Sequence, residues 1–347
     1  MDEQGAKHEI GIPTRKACCH RIFVSAKLSA FMTQFDITVV GGGLRGLQTA
    51  LRTRAHHKGA QTLVVDRQAW PGNDVRTQRS NGFTCELGPF AFTDDDLAPH
   101  LELLKKPPRR IGSKPEGKTG WLFDGDNLRA LRVEPEPFSF ATGCEDLVQA
   151  YRRELDGCLR LGRAVTQVQP QEGGGFVVTL GGEVPSELET KEVVLAVSTC
   201  DAARILGAFE PELPVVAERE STSERAFVWL GGLSKDAPEL QGYGVLPHPE
   251  LESPLAEMIF CTNVFPNRSM PDRFLVRVET AGNELPKDDE VLLRAVEEEV
   301  RRWTKTEAAF GFTKVHRFAI PEPDGTQAEC RTRLAEIVAR VPGLSLA

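Results

Sequence analysis

Four residues define the chemistry open to this chain: Gly41, Gly43, Gly46 and Asp66. The glycines fall in the run Gly41-Gly42-Gly43-Leu44-Arg45-Gly46, directly after Asp36-Ile37-Thr38-Val39-Val40, which is apolar and rich in β-branched residues. That order reads as strand, tight turn, helix. Gly41 can make the turn, Gly43 removes the Cβ that would hold the backbone away from a pyrophosphate, and Gly46 lets the helix pack on the strand. The helix start, Gly42 through Arg45, then offers unpaired amides and a positive dipole end to an anion. A second strand, Gln61-Thr62-Leu63-Val64-Val65, ends in Asp66, twenty residues beyond Gly46 and followed by Arg67. An acid there is placed to accept hydrogen bonds from both ribose hydroxyls of an adenosine. This unit alone does not separate NAD from FAD.

The elements that must hold these residues have their own signals. Leu44, Leu47, Ala50 and Leu51 recur at helical spacing, and Gly59 stops the helix just after His56-His57. Leu159 to Val168 reads as one strand, with Phe176 to Leu180 as its hairpin partner across Gly173-Gly174-Gly175. Glu192 to Val197 reads as a buried strand, and Asp201 to Leu206 as a short helix. Ala226 to Leu230, Ala256 to Cys261 and Phe274 to Thr280 read as strands of a second sheet. Asp288 or Asp289 can cap a helix whose apolar face is Val291, Leu292, Ala295, Val296, Val300 and Trp303. The fold class expected is α/β: a Rossmann-like βαβ domain with a second α+β domain built on a mixed sheet.

At 347 residues the chain is long enough for two domains, since one core stops growing beyond ~250 to 300 residues. A net charge of −8 argues against a nucleic-acid partner. No apolar run approaches the ~20 residues of a transmembrane helix. Eight cysteines without paired zinc or CxxC spacing point to a reducing cytoplasm rather than a disulfide scaffold, and Cys85, Cys144, Cys158, Cys200 and Cys261 read as small hydrophobes. The seven histidines show no metal-ligand spacing, so no metal is expected. Lys105, Lys106, Arg109 and Arg110 read as solvated loop surface. Residues 1–31 lack the apolar run of a secretory signal; Met32 is the expected start of the folded protein, with the preceding stretch an extension.

Beyond the βαβ unit the chain reads Pro71-Gly72-Asn73-Asp74-Val75-Arg76-Thr77, then Asn81-Gly82-Phe83-Thr84-Cys85-Glu86-Leu87-Gly88-Pro89. This resembles the FAD-dependent amine-oxidase superfamily, in which a second glycine motif, an Arg-Thr pair and a "GF…ELGP" segment bring backbone against the flavin. Phe138 to Gly143, Gly242 to Pro247, Val264 to Arg268 and Arg317 to Pro321 are most similar to the protoporphyrinogen oxidases of that superfamily. The resemblance implies FAD as cofactor, with contacts from Gly41, Gly42, Gly43, Leu44, Arg45, Gly46, Asp66, Arg67, Gly72, Asn73, Arg76, Thr77, Gly88 and Pro89. It implies also that Val165 holds the adenine ring through its backbone.

By the same resemblance, residues 32–106 and 138–210 form the FAD-binding domain, 107–137 and 211–325 the substrate domain, and 326–347 return to the first. The implied reaction is oxidation of a small molecule, a tetrapyrrole in haem biosynthesis, by hydride transfer to flavin N5. No acid or base is legible. The pattern departs from the family in three places. Gly72 stands alone where two glycines are usual, with Asn73 as a residue tolerant of left-handed backbone and Asp74 a charge that must turn outward. About fifteen residues stand where the family has a large helical insertion, which bears on the tetrapyrrole pocket and on peripheral membrane contact. At Gly343-Leu344-Ser345-Leu346-Ala347 the family runs on into another glycine turn and helix, so a shortened cofactor site is expected. Another amine oxidase, a desaturase, or a non-catalytic relative of the same fold remain alternatives.

Overall fold

The computed structural model describes residues 34–239, 241–282, 285–307 and 309–347. The extension expected over residues 1–31, and the start expected at Met32, lie outside the described residues.

Gln34–Val40 is the centre of the first sheet. It pairs in parallel with Thr62–Val65 on one side and Ser186–Leu195 on the other. Strands of a parallel sheet are covered on both faces, and Ile37, Val39 and Val40 are buried accordingly. Ile37 and Val39 pack with Leu47 and Ala50 of the helix Leu44–His56 and with Leu147, Val148 and Tyr151 of the helix Glu145–Glu154. Val40 points to the opposite face, as strand alternation requires, and joins Val193, Leu195 and the helices Thr199–Ile205, Leu213–Ala217 and Thr326–Arg340. Each fully buried aliphatic side chain contributes about 1.5–3 kcal/mol, so both faces hold the central strand.

The long strand Ser186–Leu195 changes partners along its length. Its first half pairs antiparallel with Phe176–Leu180, and its end pairs in parallel with Leu344–Leu346. The single strand expected over Leu159 to Val168 is instead two. Leu159–Arg160 pairs with Val64 and Val65, while Val165–Pro170 forms the hairpin with Phe176–Leu180. The break falls at Gly162, whose φ of +69° turns the chain; its amide donates to the Gln68 carbonyl (2.8 Å) and the Arg163 amide to that of Asp66 (2.9 Å).

The second sheet has seven strands in the order Phe312–Pro321, Thr222–Leu233, Arg273–Thr280, Leu255–Phe260, Gly244–Pro247, Thr119–Phe123, Leu128–Arg132. All neighbours are antiparallel except Gly244–Pro247 against Thr119–Phe123. One face carries the helix Asp289–Thr304, capped by Asp288, whose carboxylate accepts the Glu290 and Val291 amides at 2.8 and 3.1 Å. Leu292, Val296, Val300 and Trp303 bury into that face. Val291 and Ala295, expected with them, are exposed. At 3.6 residues per turn each lies about 100° round the helix from the buried stripe. The other face, with Phe227, Trp229, Ile259 and Leu275, packs on Phe83, Leu87 and Phe90. Among the described residues no helix is long and apolar enough to cross a membrane.

Candidate functional site

Beyond the carboxyl end of the first sheet, where the Gly41–Gly46 turn meets the Gly72–Val75 turn, lies a cleft of about 630 Å³. Its walls include Gly43, Leu44 and Arg45 from the helix start, Asn73 and Pro89 from the following loops, and Ala196 and Arg331 from the far side. The glycines are there for steric reasons. Gly41 sits at φ +109°, and a Cβ on it would strike the Ala196 carbonyl. A Cβ on Gly46 would overlap the Gly41 carbonyl, and one on Gly43 would stand 3.0 Å from the Asn73 amide nitrogen. No side chain caps the helix and no acid lies in its first turn. Its first amides and dipole are therefore directed at the cleft without a side-chain cap among the described residues.

The second turn is tied to the first: the Gly72 amide donates to the Gly42 carbonyl at 2.7 Å. Gly72 adopts φ +93° and Asn73 φ +50°. Asn73 thus takes the left-handed conformation at the place where the family motif has a second glycine. Asp74 lines the same cleft and is exposed.

Asp66 is buried beneath the glycine turn. One carboxylate oxygen accepts the Gly42 amide and the other the Gln68 amide, the latter at 2.6 Å. An ionised carboxylate has about four acceptor sites, so these bonds orient the acid and leave acceptor capacity.

The remaining sequence candidates divide. Pro89 lines the cleft, and Gly88, just behind it, has its carbonyl held by Arg277 at 2.7 Å. Gly41, Gly42, Gly46, Asp66 and Gly88 stand behind the lining, and four further candidates lie off it. Arg67 is exposed and 3.6 Å from Asp201. Arg76 stacks over Trp70 at 3.9 Å. Thr77 donates from Oγ1 to Glu86 at 2.7 Å and from its amide to Glu145 at 3.1 Å. Val165 starts the hairpin strand and packs against the core on the sheet's other face. Arg110, expected as loop surface, is in the strand Arg110–Gly112, with its guanidinium 3.4 Å from the Phe138 ring centre and paired with Asp94 at 2.5 Å.

Sequence reasoning assigned no role to three arginines. Arg331 comes from the helix Thr326–Arg340 to the cleft. Arg268 is fully buried, donates to Ser139 Oγ at 2.6 Å and stands 3.7 Å from Glu86. Glu86, itself 1% exposed, also accepts the Cys144 amide at 3.1 Å. Burial pushes its carboxyl up, and Arg268, Thr77 and the Cys144 amide oppose that rise. Arg277 is the third. Strand periodicity marks Arg268 and Arg277 only as charged residues in or beside apolar runs; a charge embedded in a core strand is the one signal that could have singled out Arg277.

A second cleft, about 320 Å³, opens at the edge of the second sheet between Phe92, Trp121, Pro135, Tyr243 and Glu257. Glu257 is hydrogen-bonded to the Tyr243 hydroxyl, and burial raises both groups above their ordinary ranges. Burial likewise pushes the Cys85 and Cys261 thiols up to about 12, as expected of cysteines acting as hydrophobes.

A sheet with a parallel centre and a glycine cradle at its carboxyl edge, joined to a second mixed sheet, is the architecture of a dinucleotide enzyme with a separate substrate domain. Residues 39–106 match the model of an NAD(P)-binding Rossmann-like domain, and residues 119–336 that of the flavin containing amine oxidoreductases. The second match spans more than half of the chain, which belongs to this family and is an FAD-dependent oxidoreductase. Among solved structures, the fold is similar to that of a protein assigned as a protoporphyrinogen oxidase from Exiguobacterium sp. 255-15 (15% identity, 91% of this chain and 93% of that one, TM-score 0.74). It is also similar to putrescine oxidase bound to putrescine (14% identity, 90% and 93%, TM-score 0.65). A reduced UDP-galactopyranose mutase matches at 13% identity, covering 87% and 85% with a TM-score of 0.65.

Proposed function

We propose that the 630 Å³ cleft holds FAD and that the protein oxidises a porphyrinogen-type tetrapyrrole. The observation that carries the cofactor half is the uncapped helix start beside three glycines whose Cβ atoms would collide with backbone or with Asn73. Such a cradle lets main-chain amides approach a diphosphate. Asp66 fixes the Gly42 amide and presents its remaining acceptor capacity to a ribose. Gly72 and Asn73 bring backbone to the opposite wall, and Pro89 closes it. Arg67, Arg76, Thr77 and Val165 serve at a distance, through the ion pair, stacking, hydrogen bonds and hairpin described above.

When bound, FAD supplies a hydride acceptor at N5 that oxygen or another oxidant regenerates. The chain contributes binding, orientation and exclusion of water. The apolar face of the second sheet, with Phe227, Trp229 and Phe265, shields the region behind Gly88 and Pro89. The tetrapyrrole half rests on the segments around Phe138, Gly242, Val264 and Arg317 and on the similarity to the Exiguobacterium protein. A visible spectrum of the purified protein, followed by anaerobic addition of protoporphyrinogen IX, tests both halves. Flavin bands that bleach, with porphyrin fluorescence appearing on admission of air, are expected. Absence of flavin after incubation with FAD and desalting rejects the cofactor site; retained flavin that porphyrinogen leaves unbleached rejects the substrate.

A second reading, oxidation of a smaller amine, is favoured by the 320 Å³ cleft. Glu257, raised by burial and drawn back by the Arg277 charge and the Tyr243 hydroxyl, lines it with Phe92, Trp121 and Tyr243. Aromatic faces and a carboxylate suit a compact cation. Bleaching by a diamine in place of the porphyrinogen would select this reading.

A further inference from the structure

Arg277 is a charged side chain in the middle of the second sheet, 4% exposed, on the strand between Trp229 and Ile259. Burying a guanidinium is costly unless it is paired, yet Arg277 forms no salt bridge among the described residues and its Nε has no hydrogen-bond partner. The buried Glu257 and Glu86 carboxyls feel its charge, but its close contacts are with Gly88 and Phe227. Nη1 donates to the Gly88 carbonyl at 2.7 Å, and the guanidinium lies 3.9 Å over the Phe227 ring. Gly88 is pressed against the backbone of Asp74, where a Cβ would collide with the Asp74 carbonyl. The neighbouring Leu87 amide is bonded to the Arg76 carbonyl, and the Arg76 amide to that of Asp74, both at 2.8 Å. Pro89, Asp74 and Val75 are wall residues of the large cleft. One buried cation on the second sheet therefore fixes a wall of the site on the first.

We propose that Arg277 is a positioning residue for the flavin site: by holding the Gly88 carbonyl it sets the Asp74–Arg76 and Leu87–Pro89 segments against the cofactor. This rests on the assignment of FAD to that cleft. A charge-assisted donor in a rigid fork, stacked on an aromatic ring, suits the task better than a flexible ammonium.

The test compares the flavin-loaded wild type with Arg277→Met and Arg277→Lys, reading the visible flavin spectrum and the flavin retained on dilution. Loss of a hydrogen bond to a charged group corresponds to about tenfold to a hundredfold weaker retention in the methionine variant, with its bands moved toward those of free FAD. The lysine variant, with a charge but no fork, is expected between the two. A methionine variant whose spectrum and retention match wild type, even with a lowered melting temperature, overturns the proposal. A lysine variant indistinguishable from wild type overturns it even where the methionine variant fails to fold. Wild-type protein that takes up no flavin overturns this proposal together with the cofactor assignment, whereas wild-type retention with unaltered variants overturns this proposal alone.

Discussion

A Cβ at position 46 has no room, because the Gly41 carbonyl already occupies the space between the helix and its strand. Ala at that position is therefore expected to push the helix Leu44–His56 away from Gln34–Val40, at a cost of about 1–3 kcal/mol as for other overpacked sites. The larger effect falls on the ligand, since the same shift moves the first amides of the helix relative to the cleft. Gly46→Ala is expected to lower the melting temperature and to lose most of the flavin that wild type retains after desalting. A variant that melts early but keeps a full complement of flavin would show that the helix start does not contact the cofactor. Gly59→Ala is the control. Gly59 has positive φ, at +92°, which Gly46 inside the helix does not, and nothing lies within 4 Å of its Cβ position, so Gly59→Ala reports backbone strain alone and is expected to keep its flavin.

At the scale of elements, Asp324 illustrates how a remote loop places the Thr326–Arg340 helix, and with it Arg331, at the cleft. Its carboxylate accepts the Ser221 amide at 3.0 Å, the Thr326 amide at 2.9 Å and the Ser221 hydroxyl at 2.8 Å. These bonds, the Ser221 amide first, hold the carboxyl well below its usual range. The folded pKa lies below the unfolded value of about 3.9. The stabilisation is therefore complete above roughly pH 4 and is lost as the pH falls toward the folded value. Asp324→Asn is expected to flatten the acid limb of a plot of melting temperature against pH below about 4. An identical acid limb in both proteins would remove Asp324 from that role.

The elements also show what could be read beforehand. The strand, glycine turn, helix and second strand around Gly41 and Asp66 were legible because the residue types that mark them fall within one short stretch, even though Gly41 packs on the distant Ala196. The same holds for Asp288 as a cap and for Trp303 in the core. The division of Leu159–Val168 was not legible, because it depends on the Gly162 and Arg163 amides finding the Gln68 and Asp66 carbonyls about a hundred residues earlier. The exposure of Val291 shows the related limit that apolar composition does not specify which part of a helix meets the sheet.

At the scale of the whole molecule, the Glu86–Arg268 pair illustrates a bond that no local pattern reveals. Glu86 ends the hairpin strand Phe83–Glu86, Arg268 follows the short helix Cys261–Val264 beside the second sheet, and both are 1% exposed. Thr77, the Cys144 amide and Ser139 complete the cluster, so it joins the strand ribbon, the start of the helix Glu145–Glu154 and the second sheet's loop. Arg268 Nε and Nη1 nevertheless lack partners, which makes the cluster sensitive to the loss of either charge. Removing one member of a buried pair strands the other, at a cost of about 3–5 kcal/mol, whereas replacing both by apolar groups can be nearly neutral. Glu86→Leu and Arg268→Met are each expected to lower the urea midpoint sharply, with the double variant Glu86→Leu/Arg268→Met recovering much of the loss. If the double variant were instead as unstable as the sum of the two single ones, the ion pair would not be the source of their effect. The contact between the two sheets would then depend on the apolar packing of Phe83, Phe90 and Phe265 and on the Arg277–Gly88 bond.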